Sequence, residues 1–493
     1  MGRQQQIINE RKRKLQELRK ITNPYPHKFN QKDFSEDIKQ KHKKLKPNQK
    51  SSSKAQVAGR VMTIRNLGKL IFTTIQDSKG RLQLVLQKGT TNPKDFDLFK
   101  KYIDIGDFIG ATGTVMNTKT GEISILTKEL KILSKSLLPL PEKWHGIQDK
   151  EERYRKRYLD LIMNPEVKEV FEKRQIIINT VRNFLNNQGF TEVETPTLQT
   201  IYGGASAQPF KTHLNALDID LYLSISPELY LKRLIVGGMN SVFTICKNFR
   251  NEGIDTFHNP EFTMMEYYIS YKDFEYHIEF TEKLFKELKK NLNLKDTIEY
   301  QGKKINLKTP FKRIKFRDII KKQIGIDIDK TDTFEKLKSE IQKKKLNDID
   351  IKGCKHYGAL LDELYKRVVR PNIIQPTFLT HYPVEMIALA KRNEKDPRYI
   401  NSVQLIMNGA EIVKAYDELN DPEDQENRLK EQEQLLRSGS EEAMPMDKDF
   451  INALEIGMPP TAGYGLGIDR LTMLLTNQPS IRDVILFPFM RPE

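Results

Sequence analysis

Between Lys247 and Glu266 the sequence reads KNFRNEGIDTFHNPEFTMME. Arg250, Glu252, His258, Glu261 and Glu266 fall there within 17 positions, with Phe249 and Phe262 interleaved. On alternating strand positions Arg250 and Glu252 point to one face. A guanidinium on that face holds a phosphate or a carboxylate in bidentate fashion. The same composition also suits a surface hairpin laced with salt bridges. A second stretch, GMPPTAGYGLGIDR at 457–470, carries glycines that let backbone approach a ligand or a helix closely. It is not G-x-G-x-x-G and opens no βαβ unit, which argues against dinucleotide binding. A Gly-rich turn before a buried helix with one Arg fits equally well.

Such residues need elements to hold them. Residues 56–136 alternate short β-prone runs with Gly turns: QVAGRVMTI, KLIFTTIQD, RLQLVLQ, DFIGATGTVM and EISILTKELKIL. Five short strands over this length predict a small barrel of OB-fold size. LLPLPEKW then marks a boundary. From there the pattern is mixed α and β, with a helix over 165–189 ending at Gly189 and a strand at FTEVETPTLQ. Residues 276–365 read as a mostly helical insert, looser at 291–312. VQLIMNGAEIVKAYDELN reads as a hairpin with Asn-Gly at its turn. The expected organisation is a basic helix and mobile linker at 1–54, a barrel at 55–140 and an α+β domain at 141–493.

Charge is uneven. Net charge is +16 over 493 residues, yet the first 50 hold 15 basic and 5 acidic side chains. A basic arm ahead of a near-neutral body points to nucleic acid or an anionic surface, not to a protein basic throughout. Two cysteines, Cys246 and Cys354, exclude a disulfide framework and a Cys-rich zinc site, and fit a reducing compartment. No apolar run is long enough to span a membrane, and the N-terminus lacks the apolar core of a secretory signal. The cytoplasm is the expected location, an organelle the alternative.

Phe249-Arg250-Asn251-Glu252 followed by His258-Asn259-Pro260-Glu261-Phe262 resembles motif 2 of the class II aminoacyl-tRNA synthetases. GYGLGIDR resembles their motif 3, and FTEVETPTLQ with Pro196 their dimer-forming motif 1. RYRKRYLDL, YGGASAQPF, SPELYLKRLIVGG, ELNDPEDQ and SIRDVILFPFMRP, in this order, sharpen the resemblance to bacterial-type lysyl-tRNA synthetases, from about residue 10 to the end. It implies an OB-fold anticodon-binding domain and a catalytic antiparallel sheet flanked by helices. It also implies a homodimer that uses ATP, L-lysine and tRNA(Lys) with Mg2+.

The resemblance assigns roles residue by residue. Arg250 bridges the substrate carboxylate and the α-phosphate. Phe262 offers its ring to adenine, and Arg470 stacks opposite while reaching phosphate. Glu252 and His258 contact the nucleotide, His258 towards the terminal phosphate. Gly204 and Glu228 receive the α-amino group of lysine. Tyr268 and Glu418 receive the ε-ammonium, with Glu266 beside them, and Tyr416 belongs to the same pocket. In the barrel Arg65, Phe72, Gln83 and Glu122 match anticodon-reading positions: one ring to stack a splayed base, three polar groups to read edges. The basic arm becomes a nonspecific phosphate clamp for tRNA.

One departure stands out. A two-residue turn at Asn408-Gly409 pairs Ile406 with Glu411 and leaves position 404 as a same-face diagonal neighbour of Glu411. The family has two metal-holding carboxylates there, and Asn three residues on. This chain has Gln404, Glu411 and Lys414, so Glu411 alone remains as a metal ligand. Three readings follow. Lys414 takes over the electrostatic work and alters metal dependence; or the chain is a catalytically impaired, tRNA-binding paralogue; or the changes are mild because other ions bind through ATP. Lys414 and Glu418 share a strand face, so an ion pair between them would blunt the lysine pocket.

Overall fold

A computed structural model describes residues 2–141, 149–439 and 443–492. The chain divides into two compact units, Met1–Gln148 and Asp149–Glu493. The boundary signal LLPLPEKW lies, from residue 142 onwards, outside the described residues.

The first unit begins with helix α1 (Arg3–Ile21), as its basic amphipathic pattern predicts, with Leu15 and Leu18 on the buried side. Arg11 is buried too, and donates to the backbone oxygens of Ser136, Leu138 and Ile105. Arg13 is held by Glu10 and Glu17, and Lys14 by Asp104 at 2.7 Å. The arm thus has fewer free cations than its composition suggests. The expected mobile linker is structured. Residues 35–42 form helix α2, and Lys50 already opens strand β1 (Lys50–Asn66). Lys50 and Lys54 pair with Met116 and Thr114, because ladder hydrogen bonds use backbone groups and accept polar side chains facing water.

β2 (Leu70–Gln76), β3 (Arg81–Gln87), helix α3 (Pro93–Tyr102), β4 (Phe108–Asn117) and β5 (Ile123–Ser134) follow. The strands close a barrel in the order β1-β2-β3-β5-β4, the OB-fold read from the sequence. Val57, Val61, Ile71, Ile75, Leu82, Leu84, Ile109 and Ile125 fill it, each at most 1% exposed. Alternation then puts Phe72, Thr74 and Gln83 on the outer surface.

The second unit opens with α4 (Lys150–Arg155), α5 (Arg157–Met163) and α6 (Pro165–Asn187). Gly189, at φ +84°, ends this helical run in the left-handed region. FTEVETPTLQ is not one strand: only β6 (Thr191–Glu192) and β7 (Leu198–Gln199) pair, with Pro196 between them. Next come β8 (Lys211–Leu214), β9 (Ile219–Leu223), α7 (Glu228–Val236), β10 (Ser241–Phe249), β11 (Glu261–Ser270) and α8 (Phe274–Asn291). The looser stretch of the insert holds a small hairpin, β12 (Thr297–Tyr300) with β13 (Lys303–Asn306), before β14 (Lys312–Lys315), α9 (Phe316–Ile324), α10 (Phe334–Lys343) and α11 (Tyr357–Leu364). The chain finishes through β15 (Thr377–Thr380), β16 (Ser402–Met407), β17 (Ala410–Asp417), α12 (Pro422–Arg437), α13 (Lys448–Ile456), β18 (Thr461–Gly467), α14 (Ile468–Leu475) and α15 (Ile481–Val484).

One sheet organises this unit, in the order β14-β15-β16-β17-β18-β11-β10-β6, antiparallel except at its two outer pairs. Its faces separate by parity. Phe243, Met265, Tyr267, Leu405, Val413, Ala415, Tyr464 and Leu466 pack with side chains of α6, α8 and α14 in one apolar core. Their strand neighbours Glu266, Tyr268, Gln404, Lys414, Tyr416, Gly463 and Gly465 point to the opposite face.

Candidate active site

The hairpin of β16 and β17 turns at Asn408-Gly409 as expected, with φ of 47° and 73°, and pairs Ile406 with Glu411. Beyond that pair the register differs from an even ladder. Leu405 faces Val413, so Ile412 forms a bulge, and Gln404 lies directly opposite Lys414. The bulge has a consequence for parity. Position 414 is three along from 411, an offset that on a regular strand puts the two on opposite faces. The extra residue returns both to the face that carries Tyr416.

Two cross-strand rows define that face. In the first, Tyr268 pairs with Gly463, Gly463 with Tyr416, and Tyr416 with Ser402. In the second, Glu266 pairs with Gly465, Gly465 with Lys414, and Lys414 with Gln404. The glycines of β18 form the bare floor between longer side chains. Gly463 has to be glycine: a Cβ there lies 1.9 Å from Glu418 Oε1 and 2.6 Å from Tyr268 Cε1.

At one end of the floor is a buried acidic cluster. Glu228, Glu266 and Glu418 are at most 5% exposed. Tyr416 donates to Glu228 Oε2 at 2.8 Å. Ser226 donates to Glu266 Oε1 at 3.0 Å and accepts from the backbone N–H of Glu228. Tyr268 donates to Glu266 at 3.3 Å. Burial, reinforced by the charge of Glu228, pushes the Glu266 carboxyl up to about 8. Gly204, at φ +86°, lies against this cluster, where a Cβ meets Glu228 Cβ at 2.8 Å and Ser226 Oγ at 3.0 Å. Glu418 does not pair with Lys414. Its partner is Lys232 of α7, at 2.5 Å, and Lys232 also reaches Glu228 at 2.6 Å. Sequence reasoning passed over Lys232 and Ser226, although the i,i+4 spacing of Glu228 and Lys232 was visible.

The loop after β10 carries the cationic side. Arg250 follows the strand's last residue, and its guanidinium carbon sits 5.0 Å above the Phe262 ring. Its guanidinium makes a long hydrogen bond, 3.4 Å, to the Ile225 carbonyl, and its buried Nε has no partner among the described residues. Arg250 thus lies over the Phe262 ring. Arg470 donates to His258 Nε2 at 3.1 Å and to the Glu411 carbonyl at 3.4 Å. With Nε2 accepting, His258 carries its proton on Nδ1 and donates it to Asp255 at 2.8 Å, a partner the sequence did not single out. Glu252 is exposed in the loop, outside the strand, and does not share a face with Arg250.

The residues around Glu411 do not build a metal cage. Gln404 Oε1 already accepts from Tyr382 at 2.7 Å. Lys414, opposite it, makes no ion pair among the described residues, and these contain no group of three or more His, Cys, Asp or Glu placed to hold an ion. An amide whose oxygen is engaged, one carboxylate and a cation are a poor donor set for a protein-held divalent ion.

On the barrel, Arg65 of β1 pairs with Phe72 of β2. Gln83 of β3 faces Thr74 on one side and Ser124 on the other. Its amide donates to Glu122 at 3.0 Å and accepts from Ser124. The four positions read from the sequence thus share one outer surface: a half-buried ring, an exposed guanidinium and a linked Gln–Glu pair.

Two family profiles match the chain that builds this sheet and this barrel. The profile described as tRNA synthetases class II (D, K and N) covers residues 149–491, and that of an OB-fold nucleic acid binding domain covers 55–133. The chain belongs to the class II tRNA synthetases. Its full-length relatives include the Lysine--tRNA ligases of Thermosipho africanus (46% identical, over 98% of this chain and 96% of the relative), Thermoanaerobacter pseudethanolicus (48%, 99% and 96%) and Thermotoga maritima (46%, 98% and 96%). Its place within the family is with the lysine--tRNA ligases. Among the described residues no helix is long and apolar enough to cross a membrane.

Proposed function

We propose that the protein activates L-lysine with ATP to lysyl-adenylate and transfers the lysyl group to tRNA(Lys). The observation that carries this reading is the buried Glu228–Glu266–Glu418 cluster, an acidic site suited to ammonium groups. The lysine carboxylate attacks the α-phosphorus, forming the acyl–phosphate bond as the bond to pyrophosphate breaks. The terminal ribose hydroxyl of tRNA then attacks the acyl carbon and AMP leaves. Neither step needs a protein nucleophile, so the residues act by positioning and charge stabilisation. Arg250 bridges carboxylate and α-phosphate, Phe262 supports adenine, Glu252 contacts the nucleotide, and Arg470 with His258 meets the other phosphates. Glu228 and Gly204 take the α-amino group; Glu418, Tyr268, Tyr416 and Glu266 take the ε-ammonium.

Glu411 would meet magnesium carried in on ATP, and the ion would shield the charge of the phosphates. Lys414, unpaired beside neutral Gln404, is a point charge for phosphate. Glu418 pairs with Lys232 and not with Lys414, so the ion pair that would favour an impaired paralogue is not formed. Lysine-dependent ATP–pyrophosphate exchange tests the proposal, and folded protein without exchange over a range of Mg2+ and Mn2+ refutes it.

The raised pKa of Glu266 adds a pH signature. Below about 8 this carboxyl holds a proton that an arriving ammonium has to displace. The KM for lysine therefore falls by up to about tenfold per pH unit from pH 6 towards 8, then levels off. Calorimetry in buffers of different ionisation enthalpy should show proton release on lysine binding at pH 7.

Arg65, Phe72, Gln83 and Glu122 read the anticodon. Phe72→Ala should raise the KM for tRNA(Lys) about ten- to a hundredfold, one lost base stack, and leave pyrophosphate exchange untouched. A homodimer in the cytoplasm completes the proposal. Leu198 and Ile201, at 51% and 37% exposure around the motif 1 segment, suit a partner subunit. Cys246 and Cys354, both unpaired, suit a reducing compartment.

A further inference from the structure

Lys232 is the one side chain of the acidic pocket whose sign matches the substrate's. It lies on α7, one turn after Glu228, with no solvent exposure. Its Nζ stands 2.6 Å from Glu228 Oε1 and 2.5 Å from Glu418 Oε2, and 5.7 Å from the centre of the Phe450 ring. Burial alone lowers the pKa of this ammonium, but the charges of Glu228 and Glu418 outweigh it and the net shift is upward. The cation is therefore permanent.

Around the two carboxylates stand Glu266 and Tyr268 from β11 and Tyr416 from β17, with Asp417 acting on Glu418 and Arg250 on Glu266; burial pushes the Glu418 carboxyl well up, and Lys232 opposes that push. Ionised, the three carboxylates and Lys232 leave two negative charges in a dry pocket. L-lysine brings two ammonium groups. Without Lys232, Glu228 and Glu418 face each other with no cation between them, and like charges in low dielectric resolve that by taking up protons.

We infer that Lys232 is a positioning residue for substrate: it holds Glu228 and Glu418 apart and aimed before lysine arrives, and its charge favours their ionised forms. The inference rests on the reading of this pocket as the lysine site. Lys232 touches the carboxylates rather than the reacting atoms, so its effect belongs in lysine affinity and in the pH dependence of that affinity.

The test is calorimetric binding of L-lysine to the full chain from pH 6 to 9, for wild type, K232M and K232R. K232M should weaken binding about tenfold or more at pH 7, one unit of carboxylate pKa or greater. Its affinity should climb to a plateau at higher pH than in wild type, because stronger base is needed to clear the protons. K232R, which keeps the charge, should bind within a few-fold of wild type. Equal affinity and equal plateau for K232M overturns the inference and leaves the lysine reading standing. So does a loss that is the same at every pH and is not rescued by K232R, since that marks a merely structural role. If K232M does not fold, K232Q replaces it, with the same expectations and the same overturning results. Wild type that binds no lysine overturns both readings at once.

Discussion

Arg250→Ala should lower the rate of lysyl-adenylate formation on the order of 10³-fold, about 4 kcal/mol of transition-state stabilisation. Three features of the structure set this size. The guanidinium is held over Phe262 at 5.0 Å, so its orientation is fixed before substrate binds. Its buried Nε has no partner among the described residues, which leaves a donor unspent within the protein. Both reactants that meet there are anionic, so one cation serves the attacking carboxylate and the α-phosphate together. Arg250→Lys should recover little, because an ammonium cannot address two anions in a plane. Single-turnover adenylate formation at saturating ATP and lysine separates this from weaker binding. A loss confined to KM would contradict the assignment.

Glu418→Gln should reduce kcat/KM for lysine by about 10³-fold, with the larger share in KM. The substitution keeps the shape of the side chain and removes the charge. The carboxylate is fully buried, and Lys232 engages only one of its oxygens. In the variant the substrate ammonium meets an amide in a dry pocket and is left uncompensated. Folding should respond differently. The cluster carries excess negative charge, and removing one unit relieves it, so Tm should hold or rise by a few degrees. Activity and stability then move in opposite directions. A Tm that falls in step with activity would show that Glu418 serves the fold rather than the substrate.

The parts of the structure readable from sequence are those governed by local rules. The barrel was legible because alternation and Gly turns recur along 56–136. The hairpin turn was legible because Asn-Gly accepts positive φ at both positions. What escaped depended on contacts between distant residues. Glu228 and Lys232 look like an ordinary exposed i,i+4 pair until Glu418, far along the chain, closes over them. The bulge at Ile412 has no side-chain signature, yet it decides that Gln404 faces Lys414. The stretch KQKHKKLKPNQKSSSK reads as mobile because composition reports side chains, whereas its strand pairing runs through the backbone. Arg250 and Glu252 were placed together by assuming that β10 continued three residues further than it does.

The bare floor of β18 carries a lesson about history. A methyl group at position 463 collides with the Glu418 carboxylate and with the Tyr268 ring. At 465 the nearest atom to such a methyl is the flexible end of Met264, 3.4 Å away. The two glycines therefore differ in when they become free to change. Position 465 accepts alanine in the present background, at the cost of a narrower slot. Position 463 does not, unless 418 and 268 are replaced first. Any lineage that shifts this pocket towards a different amino acid must take its steps in that order, so its mutational paths are contingent and nearly one-way.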